Sequence, residues 1–242
     1  MNSILVAPDS FKGTFSSVEV SQYISAGIRA EGLTAIECPL ADGGEGTLDV
    51  VLLALKGERH SQSVHGPLGQ QVVARWGWVA EQRLAIIEVA QVCGLQFSGR
   101  TPTDAIRAST QGVGELLITA AEFGAERIVV ATGGSATTDG GQGAIDSLKG
   151  NEKALAGISV EVLSDVTVNF EDAATIFAPQ KGADPTTVDL LNKRHRRCGR
   201  SVCEEIRARP TWLGADRGGR RTLRGAVGRA RCHLVFRGRL HS

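Results

Sequence analysis

The sequence has few aromatic residues, no long apolar runs and no regular cysteine pattern. The last two absences argue against a membrane protein and a disulfide-bonded protein. Aromatic residues make up 5% of the 242 positions, and no apolar stretch reaches the roughly 18 residues that a membrane-spanning helix needs. The N-terminal MNSILVAPDSFKG lacks the basic and apolar segments of a signal peptide. The five cysteines are irregularly spaced, which favours reduced thiols. We therefore expect a cytoplasmic globular protein with no membrane partner.

Lysine is absent from the last 49 residues, and this absence marks two compositions within one chain. Residues 1–193 hold 6 Lys, 7 Arg and 23 acidic residues, which gives a formal charge of −10. Residues 194–242 hold 14 Arg and 3 acidic residues, which gives +11, and they also hold three of the five cysteines. The net charge of +1 for the whole chain therefore conceals an acidic body and a basic tail.

Strand-like and helix-like segments alternate through residues 1–193, and this alternation predicts an α/β architecture. The apolar run at 3–7 predicts a buried strand, and Ser16 or Ser17 is placed to cap a helix that stops at Gly32. Helices are also predicted at 47–55 and 112–124. Residues 70–90 are typical of a β-hairpin or meander, and the apolar run RIVVA at 127–131 predicts another buried strand.

Neither of the common nucleotide-binding fingerprints, GxxxxGK[ST] and GxGxxG, is present. Three glycine-containing loops instead follow predicted strands: PDSFKGTF at 8–15, PLADGGEGT at 39–47 and ATGGSATTDGGQGA at 131–144. Ligands of α/β proteins bind at the carboxyl ends of strands, where glycine lets the backbone approach an anion. Loops that mix glycine with Asp and Glu suit a phosphate held together with a divalent cation, although single glycine loops often only make turns.

Five motifs in this order, VAPDSFKGTFSS, PLADGGEGT, ASTQGVGELL, GGSATTDGGQGA and IFAPQKGAD, resemble the bacterial glycerate kinase family. The resemblance covers residues 1 to about 193. It implies two α/β domains with the active site in the cleft between them, and ATP-dependent phosphorylation of D-glycerate with Mg²⁺, 2-phosphoglycerate being the favoured product. We assign residues 1–75 to the first domain, which in the family is completed by the C-terminal part of the chain, and 76–193 to the second.

Phosphoryl transfer depends on positioning and charge neutralisation, and the resemblance suggests which residues supply them. Lys12 is predicted to contact the transferred phosphoryl group. Asp42 and Glu45 are predicted to bind Mg²⁺, Asp42 being also a candidate acceptor of the hydroxyl proton, although both residues also suit a helix N-terminus. Asp165 is a third catalytic candidate, with a strand-end cap as its alternative. The remaining residues predicted to bind substrate or nucleotide are Asp9, Ser10, Gly43, Gly44, Gly133, Gly134, Ser135, Asp139 and Lys181.

The sequence departs from the family in two places. Between GGQGA and SVEVLSD the family carries a longer insert, so we expect an internal deletion near 148–158. From Arg194 onwards, an Ala/Gly-rich segment and a GEGRxD-like motif of the family are both missing. These departures leave a catalytically inactive, truncated remnant of a kinase as an alternative to the active enzyme.

Three interpretations of residues 194–242 compete. A shifted reading frame accounts for the missing lysine, the abrupt boundary and the lost motifs together, and it predicts an unstructured tail. A nucleic-acid-binding arm would use the 14 arginines for salt-sensitive phosphate contacts. A metal site would use Cys198 and Cys203, but no second Cys or His pair stands at a matching spacing. We favour the first interpretation and expect no nucleic-acid partner.

Overall fold

The computed structural model describes the backbone of residues 3–208 and 233–235, and the side chains of residues 3–198. The described strands form two sheets. The smaller sheet pairs two parallel strands, β1 (Ser3–Val6) and β2 (Thr34–Glu37). The larger sheet has six strands in chain order. They are β3 (Glu58–His65), β4 (Gln71–Val79), β5 (Leu84–Glu88), β6 (Arg127–Ala131), β7 (Ser159–Leu163) and β8 (His233–Val235).

Eight α-helices lie in the described residues, and the predicted α/β class is confirmed. They are α1 (Ser17–Ala30), α2 (Thr47–Leu55), α3 (Val89–Cys93), α4 (Pro102–Arg107), α5 (Gln111–Glu122), α6 (Gln142–Leu148), α7 (Ala173–Phe177) and α8 (Pro185–Ala208). Helix α1 begins after Ser16, whose side chain accepts a hydrogen bond from the backbone N–H of Glu19. The Glu19 carboxylate accepts one from the Ser16 N–H in return, so the predicted cap is a reciprocal capping box.

The predicted hairpin at 70–90 is present as the antiparallel pair of β4 and β5. Strand β5 also pairs in parallel with β6, and β6 pairs in parallel with β7. All five residues of β5 are buried, as is usual for a strand covered by helices on both faces. Four of them are apolar and the fifth is Glu88, so this strand ends in a buried carboxylate.

Helix α2 packs on the larger sheet, although it precedes the predicted domain boundary at 75/76. Leu48 and Leu52 of α2 join a buried cluster with three residues of β4 and β5. A Cβ atom at Gly77 of β4 would lie 2.8 Å from both leucine side chains, so glycine is what lets α2 approach the sheet. Position 75/76 falls inside β4, and the sheets separate between β2 and β3.

Helix α8 extends to Ala208 and so passes the position, residue 194, from which an unstructured tail is predicted. Its middle is held by tertiary contacts that no local pattern reveals. Leu191 is buried in an alanine-rich cluster formed with α4 and α7, and the Arg194 guanidinium donates to the carbonyl oxygen of Ile106. His195 is buried and stacks on Phe170.

The later part of the tail is described only at β8, which pairs antiparallel with β7. Residues 209–232 and 236–242, and with them most of the predicted irregular tail, lie outside the described residues. The side chain of Cys203, one half of the cysteine pair considered for a metal site, also lies outside them. None of the helices in the described ranges is both long and apolar enough to cross a bilayer.

Candidate active site

A cleft of about 800 Å³ lies where the loops after β1, β2, β6 and β7 meet the segment 177–181. Carboxyl ends of strands are where α/β proteins place their ligand-binding loops. Ten of the thirteen predicted site residues line this cleft: Ser10, Lys12, Asp42, Gly44, Glu45, Gly133, Gly134, Ser135, Asp165 and Lys181. The other three, Asp9, Gly43 and Asp139, do not line it.

Two of the glycine loops interlock at the floor of the cleft. The backbone N–H of Gly133 donates to the carbonyl oxygen of Gly43 over 3.1 Å. A Cβ atom at Gly133 would lie only 2.5 Å from the Cα atom of Gly44, a distance that no side chain tolerates. Gly43 thus supports the cleft through its backbone rather than lining it. These glycines are needed because two main chains pass each other without side chains between them.

The loop after β7 joins the same floor. The backbone N–H and the hydroxyl of Thr132 both donate to the carbonyl oxygen of Leu163, over 3.2 Å and 2.9 Å. This pair of bonds ties the end of β7 to the end of β6, and Asp165, two residues after Leu163, lines the cleft. Residues more than 100 positions apart in the sequence thereby face one cavity.

Lys12 and Asp42 form an ion pair between the first and second loops. The ammonium lies 3.4 Å from Asp42 Oδ2, and 83% of the Lys12 side chain is exposed. Asp42 Oδ1 accepts a hydrogen bond from the Gly44 N–H over 2.8 Å. That bond lowers the pKa of the Asp42 carboxyl below its ordinary value, with a smaller contribution from Lys12, so the group is ionised at neutral pH.

Lys181 is the second lysine of the cleft, and it is buried. Its ammonium donates to the hydroxyl of Ser135 over 3.4 Å and to the carbonyl oxygen of Thr137. Burial lowers the pKa of Lys181 to about 8, because the charged form loses hydration. The side chain therefore places a cation against the third glycine loop at neutral pH.

Asp139 holds its loop in place instead of reaching the cleft. The carboxylate is buried and accepts four hydrogen bonds. Oδ2 accepts from the N–H and the hydroxyl of Thr110, each over 2.8 Å, and from the Gly143 N–H over 3.0 Å, while Oδ1 accepts from the Gly141 N–H over 3.1 Å. Asp139 thus lies outside the cleft, and its role in binding a ligand stays a prediction. Asp9 also stays local, since its Oδ1 accepts from the Ser10 N–H.

The cleft residues that the sequence-based prediction misses include Arg75, Glu88 and Gln91. The Arg75 Nε–H donates to Gln91 Oε1 over 3.1 Å, which fixes a guanidinium on the cleft wall. In the sequence, Arg75 is one more polar position of an alternating strand. Glu88 leaves a clearer signal, because a carboxylate that ends the apolar run LAIIE needs a buried partner.

Asp42 and Glu45 suit a Mg²⁺ ion that is completed by phosphate and water, not one enclosed by protein. Within the residues that the structure describes, no three His, Cys, Asp or Glu side chains are grouped closely enough to hold a metal ion. Mg²⁺ commonly takes one or two protein carboxylates and fills its other positions with water and phosphate oxygens. Two carboxylates of one loop that both line the cleft fit this pattern.

Comparison with known proteins identifies the family of the chain. The sequence profile described as the glycerate kinase family matches residues 4–152 and 147–219. The chain belongs to the glycerate kinase family. Its sequence is 35% identical to the glycerate 2-kinase of Escherichia coli K12 over 221 residues, 78% of this chain and 58% of that protein. It is 34% identical to the glycerate kinase of Halalkalibacterium halodurans, over 85% of this chain and 63% of that protein.

A solved structure of a similar protein has a similar fold to this glycerate kinase family member. The crystal structure assigned as glycerate kinase 2 from Salmonella typhimurium LT2 superposes with a TM-score of 0.72 at 32% identity, covering 85% of this chain and 63% of that one. The chain thus spans about three fifths of the length of the relatives named here. The family match reaches residue 219, which lies beyond the sequence boundary near 193. Its two ranges overlap at 147–152, at the start of the region 148–158 where a deletion is predicted.

Proposed function

We propose that this chain binds ATP and D-glycerate in the cleft and transfers the γ-phosphoryl group to glycerate, with 2-phosphoglycerate as the product. The observation that carries this proposal is the convergence of loops from separate family motifs on one cavity, which two lysines and several carboxylates line. A triphosphate and a carboxylic acid are both anionic, and such a cavity offers cations to them. The unpaired Cys38 and Cys93 suit a reducing cytoplasm, which we propose as its location.

The residues divide into groups that hold phosphate and groups that handle the reacting hydroxyl. Lys12 and Lys181 neutralise phosphate or carboxylate charge, and the backbone at Gly133 and Gly134 approaches the phosphate oxygens closely. Ser135 donates its hydroxyl to the same anion. Arg75, anchored by Gln91, adds a third cation for the substrate carboxylate.

The chemical step forms one bond and breaks one. The glycerate hydroxyl oxygen forms a bond to the γ-phosphorus while the bond from that phosphorus to the β–γ bridging oxygen breaks, and ADP leaves with the bond electrons. The hydroxyl proton passes to a carboxylate, for which Asp42 and Asp165 are the two candidates. Mg²⁺, when held by Asp42 and Glu45, supplies charge neutralisation on the phosphate oxygens.

A coupled assay of ADP formation with D-glycerate tests the proposal. We expect the unaltered chain to turn over and Lys12→Ala to lower kcat by about 100-fold, the typical loss when a group that stabilises transition-state charge is removed. Lys153→Ala, an exposed lysine outside the cleft, is the matched control and should keep full activity. An unchanged kcat in Lys12→Ala would show that Lys12 does not act on the transferred phosphoryl group.

Two other outcomes identify the alternatives. Binding of ATP by calorimetry without any turnover would identify an inactive remnant of a kinase. A salt-sensitive gel shift that depends on residues 194–242 would support a nucleic-acid-binding tail.

A further inference from the structure

The buried carboxylate of Glu88 connects the larger sheet to the second glycine loop. Glu88 is the last residue of β5, is 1% exposed, and contributes to the cleft wall. Its Oε1 accepts a hydrogen bond from the Gly46 N–H and its Oε2 accepts one from the Leu48 N–H, each over 3.2 Å. Both donors belong to the start of α2, so the side chain spans the gap between strand and helix.

These two bonds act at the point where the loop 42–46 becomes a helix. The first N–H groups of a helix have no partner within it and need one from elsewhere. Gly46, the residue before α2, has a left-handed backbone with φ of 93° and offers no side chain as a cap. Glu88 supplies the missing cap from 40 residues away, and it fixes the helix start from which Asp42, Gly44 and Glu45 extend into the cleft.

The position also explains why the group is a carboxylate. Glutamine has the same shape, but its amide nitrogen is a donor, so one of the two N–H groups would lose its acceptor. The charged groups that face Glu88, Asp49 of α2 and Glu45 of the loop, are both acidic. Burial raises the pKa of the Glu88 carboxyl; the two N–H bonds oppose that rise, and the two neighbouring carboxylates add to it.

We infer that Glu88 is a positioning residue for phosphoryl transfer: it holds the loop 42–46 in the geometry in which Asp42 and Glu45 face the cleft. The reaction part of this inference rests on the proposed function, whereas the loop geometry does not. Glu88 acts through the backbone of Gly46 and Leu48, so its effect should appear in kcat more than in the KM for ATP.

The matched variants are Glu88→Gln and Glu115→Gln. Glu115 is also partly buried and accepts hydrogen bonds, from the backbone N–H of His65 over 2.9 Å and from Gln111 over 3.0 Å, but it lies outside the cleft. Both variants exchange a hydrogen-bonded carboxylate for an amide, so both test the cost of the substitution itself. Only Glu88→Gln changes the second glycine loop.

Amide hydrogen exchange read by mass spectrometry decides the positioning, and kinetics decides its relevance to the reaction. In Glu88→Gln, exchange over 44–52 should rise at least about fivefold, since an N–H group loses its acceptor. In Glu115→Gln, exchange over the same segment should stay at the level of the unaltered chain. Equal exchange over 44–52 in Glu88→Gln and the unaltered chain would overturn the positioning.

With an active chain, Glu88→Gln should lower kcat about tenfold or more at nearly constant KM for ATP, and Glu115→Gln should leave kcat unchanged. Faster exchange with an unchanged kcat would overturn the link to the reaction. If the unaltered chain shows no turnover, the proposed function fails, and the exchange experiment still supports or overturns the positioning. Thermal denaturation of both variants verifies that each is folded.

Discussion

The two lysines of the cleft are held in opposite ways. Lys12 stands on the loop after β1 of the smaller sheet, is mostly exposed, and contacts the protein through an ion pair with Asp42. Lys181 stands against the larger sheet, is buried, and is held by Ser135 and the Thr137 carbonyl. A solvated lysine costs little to keep charged, whereas a buried one has lost most of its hydration before the ligand arrives. The larger sheet therefore provides the preorganised wall and the smaller sheet the adaptable one.

The largest effect is expected at Gly133, where the second and third glycine loops interlock. Gly133→Ala places a Cβ atom against the Gly44 backbone, which has no side chain that could move aside. We expect loss of turnover and a fall in the free energy of unfolding of about 1–3 kcal/mol, as for overpacked sites. Chemical denaturation and the coupled assay measure these effects. Gly141→Ala is the control, because no atom lies within 4 Å of a Cβ there, although its φ of 79° adds strain of its own. A fully active Gly133→Ala would refute the interlock.

Replacing the buried lysine should separate activity from stability. Lys181→Met keeps the length and apolar stem but removes the ammonium, so we expect kcat/KM to fall by about 100-fold while the melting temperature stays level or rises. Lys153→Met serves as the exposed control. A large drop in melting temperature without loss of activity would show that Lys181 is structural and does not act on the ligand.

The same lysine predicts a pH dependence with opposite signs for activity and stability. Burial lowers the pKa of Lys181 from 10.5 to about 8, so the ammonium is lost as the pH rises through 8. Below pH 8 both folded and unfolded states carry the proton, and the cost of burying the charge is present in full. Between pH 8 and 10.5 the unfolded state binds more protons, so this group raises the free energy of unfolding with pH.

Activity should therefore fall above about pH 8 while the contribution of Lys181 to stability increases. A pH series of kcat/KM alongside denaturation, with Lys181→Met as the reference that lacks the group, measures both. A kcat/KM that stays level up to pH 10 would contradict the requirement for a charged Lys181.

The smallest effect is expected at the exposed ion pair. Asp42→Asn should change the free energy of unfolding by less than about 1 kcal/mol, because solvated pairs contribute little. Turnover should nevertheless fall strongly, since Asp42 is a candidate for both the metal and the proton. Denaturation and the coupled assay, with Asp146→Asn at the ion pair to Lys149 outside the cleft as control, distinguish the two quantities. A large loss of stability in Asp42→Asn alone would show that the pair holds the loop.

Local sequence was sufficient for most elements and for the residues within motifs. Ser16 and Glu19 specify the start of α1 by themselves, because a capping box joins groups three residues apart. The loops with Lys12, Asp42 and Ser135 were also predictable from local sequence, because each follows a predicted strand. The bond between Asp139 and Thr110 was not predictable, since the two residues are 29 positions apart and nothing nearby in the chain reveals it.

Sequence alone determined the family, the α/β class and the identity of the glycine loops, because these depend on contiguous motifs and short-range periodicity. Tertiary structure decided which loops share a cavity, which of two lysines is buried, and that Glu88 caps a helix 40 residues before it. It also decided that α8 continues past residue 194, where Arg194 and His195 are held by carbonyl oxygens of distant segments. Burial and hydrogen bonding between distant segments depend on packing, and packing exists only once the sheets have formed.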